Sequence, residues 1–108
     1  MNTKIKFTYK NVPYVLEYDR DSIRMMEQHG FSLEELRSKP MNNLTLAFKG
    51  LFIKNHRKTN DNLVDEIYEN FKNKEKLLET ILKMIDETYA TLFDDDGEDK
   101  GNIEWDIA

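Results

Sequence analysis

The sequence predicts an α+β domain in which strands and helices occupy separate stretches of the chain. Residues 1–18 alternate with period two, with Ile5, Phe7 and Tyr9 on one parity and Tyr14, Leu16 and Tyr18 following a break. Side chains of a strand point to opposite faces, so this is a strand signal. From about residue 20 to residue 93 the apolar residues instead recur every three or four positions, as they do on one face of a helix. Strands are not interleaved with these helices, which disfavours a βαβ arrangement. A chain of 108 residues can hold one such domain with a single core.

The first two strands should pair as an antiparallel hairpin. Pro13 cannot donate to a ladder, so Asn11, Val12 and Pro13 mark the break, with Pro13 in the connection or at a strand's first position. An isolated hairpin is marginal in water, so its aromatic face must lie on the helices or gain a third strand. Asp19, Arg20, Asp21 and Ser22 then crowd into a turn that offers acceptors to a short helix over 23–29. Gly30 can take the left-handed position that ends this helix, and Phe31 can fold back on its last turn. Ser32 and Glu35 form a capping-box pair for a second short helix. Pro40 disfavours helical geometry at Lys39 and suits the first turn of the helix that follows.

Residues 41–58, MNNLTLAFKGLFIKNHRK, are the centre of the chain. At about 100° per residue Met41, Leu44, Ala47, Phe48, Leu51 and Phe52 cover one face, while Leu46 and Ile53 lie nearly opposite. A helix apolar on two sides is buried on two sides. It should therefore be a floor between the hairpin and short helices on one side and the later helices on the other. It carries Lys49 and falls short of the roughly 20 apolar residues that a bilayer demands, so burial within protein is expected rather than a membrane span. Asn55, His56, Arg57 and Lys58 place cationic groups at its end, where the last carbonyls are partially negative.

After a polar bend at 59–62, Leu63, Val64, Ile67, Tyr68 and Phe71 form one helical stripe. Asn73 can cap the longest helix, expected over 74–93, with Leu78, Ile81, Leu82, Ile85, Tyr89 and Leu92 as its main stripe and Leu77, Met84 and Phe93 widening it. The domain is thus 1–93. Residues 94–102, DDDGEDKGN, read as an acidic linker with nothing to bury. In 103–108, Ile103, Trp105 and Ile107 alternate with Glu104 and Asp106, a short strand that either returns beside the hairpin or acts as a docking peptide for another sheet.

Chemistry is sparse. The chain has no cysteine, hence no disulfide and no thiolate ligand, as befits a reducing compartment. The start, MNTKIKFTYK, lacks an apolar segment before a small-residue cleavage site, so a cytoplasmic location is expected. A net charge of −5 argues against a general nucleic-acid surface. Asp94, Asp95, Asp96, Glu98 and Asp99 account for this imbalance, so the body is near neutral. That acidic run fails the EF-hand spacing: with Asp94 at position one, Asp99 falls where Gly is needed and Trp105 where Glu is needed. With Gly97 at position six, Leu92 falls at position one.

His29 and His56 sit at expected helix ends with no second ligand three or four residues away, so they are read as capping or surface groups and no metal site is expected. Ser22, Ser32 and Ser38 lack both a nearby His and a GxSxG context and read as turn and cap residues. No nucleophile, base and orienting group can be assembled, so neither an enzyme nor a cofactor is expected. Lys54, His56, Arg57 and Lys58 form the basic cluster; it reads as charge matching at a helix end, with phosphate contact as the alternative.

The features left for function are apolar. The stripe of the long helix reads first as core; the alternative is a groove, or a seam between two copies, using Leu77, Ile81, Met84 and Tyr89. Met25, Met26, Met41 and Met84 would add adaptable surface to a groove. Trp105, with Ile103, is an aromatic anchor for docking on the chain itself or on a partner.

The opening KIKFTYKNVPYVLEYDRDSIRMMEQHGF, the helix after KPMNNL, the segment DEIYENF followed by NKEKLLETILKM, and the ending GNIEWDIA together resemble a family of small phage and prophage proteins of Gram-positive bacteria. In size and layout that family is similar to the tail assembly chaperones encoded just upstream of the tape measure protein in long-tailed phages. The resemblance covers nearly the whole chain and rests on packing and turn residues. It implies a noncatalytic helical protein with a small N-terminal sheet, acting in the host cytoplasm. Such a protein holds apolar helical segments of the tape measure protein until tail tube subunits replace it. The alternatives are a structural component of the tail or head-tail junction whose C-terminal strand augments a neighbour's sheet, and a small nucleic-acid-binding regulator using the basic cluster.

Overall fold

The computed structural model describes residues 3–93 and 103–107. Strands β1 (Ile5–Tyr9) and β2 (Val12–Leu16) precede helices α1 (Arg20–Gln28), α2 (Leu33–Ser38), α3 (Pro40–Gly50), α4 (Asp61–Asn70) and α5 (Lys74–Ala90), the last continued by a 3-10 turn, Thr91–Phe93. The architecture is α+β, an N-terminal two-stranded antiparallel sheet followed by helices.

The hairpin closes earlier than its proline suggested. Lys10 and Asn11 form the loop with φ of 49° and 64°, the double positive φ that a tight two-residue hairpin loop requires. Pro13 lies inside β2, opposite Thr8. With a two-residue loop, Tyr9 and Val12, Phe7 and Tyr14, and Ile5 and Leu16 exchange the ladder bonds, so Thr8, Pro13, Lys6 and Val15 turn their backbone groups outward. The missing Pro13 N–H therefore costs the ladder nothing. The inner face of the hairpin joins an aromatic cluster: Phe7 stacks on Tyr14 at 5.0 Å and meets Phe71 edge-on at 5.0 Å, while Phe48 lies 5.2 Å from both Tyr68 and Phe71.

Helix α1 starts at Arg20 rather than 23 because Asp19 is its cap, its carboxylate accepting the Ser22 N–H at 2.7 Å while Ser22 Oγ accepts the Asp19 N–H at 2.8 Å. It ends as its sequence indicates. Gly30 takes φ of +95°, its N–H reaches Glu27 O at 3.1 Å, and the N–H of buried Phe31 reaches Met26 O at 3.0 Å. The Ser32 and Glu35 capping box is half formed. Ser32 Oγ accepts the Glu35 N–H, but the Ser32 N–H donates to Oδ1 of buried Asn43 at 3.1 Å, so a side chain from α3 replaces the glutamate.

Helix α3 packs against α1, α2, α4 and α5, which makes it the floor of the fold. Its α-helical part stops at Gly50, well short of residue 58. The Tyr18 hydroxyl, buried, donates to Ala47 O at 2.5 Å, and Leu51 N–H turns back to Phe48 O at 3.1 Å instead. Phe52 and Ile53 repeat this tighter spacing by donating to Lys49 O and Gly50 O. Leu44, Ala47, Phe48, Leu51 and Phe52 are buried, whereas Met41 is 87% exposed because the buried face ends at Leu44. Leu46 and Ile53, on the second face, are half-buried.

Asn60 and Asn73 cap α4 and α5 through side-chain oxygens at 2.8 and 3.1 Å. The described sheet has two strands, and residues 103–107 take no regular secondary structure. The expected linker at 94–102 lies outside the described residues. Among the described residues no helix is long and apolar enough to cross a membrane.

Candidate functional site

The residues singled out from sequence separate into three groups. Leu77, Ile81 and Met84 are 5%, 0% and 2% exposed and belong to the core, so they line no open groove. The Leu77, Ile81, Met84 and Ile85 side of the α5 stripe is taken up in the core, where α5 packs against α1 and α3. Tyr89 is half-buried and joins α5 to α1, its hydroxyl donating to Glu27 Oε2 at 2.7 Å; burial, that bond and the Glu27 charge push its pKa up to about 12. It borders a small cleft of about 110 Å³ beside exposed Leu92. Ile103 and Trp105 stand exposed, as does Ile107.

An open apolar surface lies on the other side of α3. A hollow of about 320 Å³ is walled by Met25 of α1, Leu46 of α3 and Ile53 of the turn after it, all half-buried, over a floor that includes Met26 and Gly50. The α1–α3 approach is close here, since a Cβ on Gly50 would stand 2.2 Å from Met26 Sδ. Lys49, Arg57 and Asp61 supply the charges around it, Lys49 also reaching Asp65 at 3.8 Å. Two flexible methionine thioethers beside aliphatic walls make a surface that adapts to varied apolar side chains. The sequence carried a signal for this site in the second apolar face of the central helix, Leu46 and Ile53, and in Met25.

The basic cluster is largely turned inward. Lys54 Nζ lies 3.0 Å from Oε1 of buried Glu17, and Asn55 Nδ2 donates to Oε2 at 2.9 Å. Burial alone would push the Glu17 carboxyl up, but the bonds from Asn55 and Lys54 and the charges of Lys54 and Lys4 outweigh it and hold the group below the usual carboxylate range. His56 Nε2 accepts the Val15 N–H at 3.1 Å, its ring 5.0 Å from Tyr14, and Asn55 Nδ2 also donates to Val15 O at 3.1 Å. These side chains hold the outer edge of β2; Arg57 and Lys58 are exposed, as is the Lys54 side chain that reaches Glu17. His29 Nδ1 lies 2.7 Å from Met25 O, one turn back on α1.

Among the described residues no three His, Asp or Glu side chains come together to hold a metal ion. No curated protein and no solved structure matches the chain. The family model for a domain of unknown function, DUF5055, matches residues 1–108, and the protein belongs to that family.

Proposed function

We propose that the protein is a noncatalytic morphogenesis factor resembling a phage tail assembly chaperone, and that it holds an apolar helical segment of a tape measure protein in the hollow between α1 and α3. The observation that carries this reading is the hollow itself, open, walled by Met25, Leu46 and Ile53, and rimmed by Lys49, Arg57 and Asp61. A helix laid in such a groove inserts side chains spaced three and four apart, and the mixed rim of Lys49, Arg57 and Asp61 suits a segment with charged flanks of both signs. Recognition by adaptable apolar contacts suits transient holding of varied sequence rather than permanent assembly.

Deletion of the gene from its phage or prophage is expected to abolish normal tails in electron micrographs. Wild type should restore them and Leu46→Asp should not, although that variant keeps its helical circular dichroism. Normal tails from the deletion would overturn the reading. A second reading, a structural tail component donating its C-terminal segment to a neighbour, is favoured by the exposed Ile103, Trp105 and Ile107. Mass spectrometry of purified virions separates the two, since a chaperone is absent from the finished particle.

A further inference from the structure

The two edges of the hairpin are unequal. On β2, Pro13 has no N–H to offer, and both Val15 backbone groups are taken by His56 and Asn55. On β1 the outward N–H and C=O groups of Lys6 and Thr8 make no hydrogen bond among the described residues. Beside this second edge is a hollow of about 360 Å³ bounded by Phe7, Tyr9, Ile67 and Phe71. One edge is thus closed by side chains, and the other is open next to an aromatic-walled cavity.

We propose that the β1 edge is the docking site of the chain's own residues 103–107, which stand exposed and unpaired in this structure and which, in a docked state, add as a third strand and seat Trp105 in that hollow. The inference stands on this edge alone and does not depend on the tape measure reading. Three observations carry it. The first is parity: Ile5, Phe7 and Tyr9 of β1 face inward, and Ile103, Trp105 and Ile107 carry the same spacing of two. With the two five-residue segments centred on each other, Trp105 falls beside Phe7 in either strand direction. The second is charge. In that register Glu104 and Asp106 fall beside Lys6 and Thr8 on the solvent face, so a carboxylate stands next to Lys6 whichever way the strand runs.

The third is reach. The Thr3 N–H donates to Glu87 Oε1 at 2.8 Å, so the start of β1 is pinned to the last turns of α5. The nine residues 94–102 can span up to about 30 Å, and β1 is about 17 Å long. A segment tethered by so short a chain meets its site at an effective concentration in the millimolar range, which favours the same molecule over a second copy in dilute solution.

Trp105 is the only tryptophan, so its fluorescence reports the docking directly. In the full chain we expect blue-shifted emission and acrylamide quenching several-fold weaker than that of free tryptophan, independent of protein concentration, in a species of monomer mass by light scattering. Thr8→Pro removes an outward N–H without removing a ladder bond and should restore free-tryptophan quenching, with helical circular dichroism unchanged. Lys6→Glu, a surface change, should shift quenching in the same direction and serves if Thr8→Pro does not fold. Free-tryptophan quenching in the wild type would overturn the proposal. So would protection that neither variant relieves, or protection confined to a dimer, which would assign the edge to a second copy.

Discussion

Replacing Gly50 with alanine sets two effects of known sign against each other. Alanine is the better helix former by up to about 1 kcal/mol. The new methyl, however, would lie 2.2 Å from Met26 Sδ and 2.5 Å from Met26 Cγ, and Met26 is itself only 3% exposed. Overpacking of this kind costs about 1–3 kcal/mol. The thioether must move, and the hollow next to it offers the space, so Gly50→Ala is expected to destabilise by about 1–2 kcal/mol and to push Met26 into the hollow. For a domain of this size the melting temperature falls by roughly 4–16 °C. Urea unfolding of the two single variants and of Gly50→Ala with Met26→Ala closes a double-mutant cycle. Met26→Ala alone leaves a cavity, and the alanine at 50 should recover part of that loss, giving a coupling of at least about 1 kcal/mol. A raised stability for Gly50→Ala, or additive effects in the cycle, would refute the close α1–α3 approach.

Tyr18→Phe strands the Ala47 carbonyl inside the protein and should cost about 1–2 kcal/mol in urea unfolding; a loss near zero would show that α3 simply regularises through Leu51. Glu17→Gln should lower stability at neutral pH by about 1–2 kcal/mol by weakening the bonds to Lys54 and Asn55. The folded carboxyl is held below its unfolded value near 4.3, so its contribution is fully present above that value and disappears as pH falls through the lower folded one. Wild type and Glu17→Gln should therefore converge in stability at acid pH. A gap persisting there would point to packing instead.

Local signals in the chain proved easier to read than long-range ones. The Gly30 and Phe31 helix end, Pro40 at the start of α3 and the Asn73 cap depend on residues within a few positions of one another, and the period-two and period-three-to-four patterns separate hairpin from helices. What was not legible came from residues distant in sequence. Tyr18 takes a carbonyl 29 positions away and so ends α3 early. Asn43 takes the cap position that pattern alone assigns to Glu35. The α5 stripe could be core or groove until its cover was known, and burial of Leu77, Ile81 and Met84 by α1 and α3 moves the open surface to Met25, Leu46 and Ile53.

The proposal that an apolar helical segment binds between α1 and α3 is tested most directly by titrating a helical apolar peptide of tape measure type into the isotope-labelled full chain and mapping the perturbed resonances. Saturable shifts at Met25, Leu46, Lys49 and Ile53, lost in Leu46→Asp, are the expected result. Shifts confined to Ile103 and Trp105, or no saturable shift at any concentration, would contradict it.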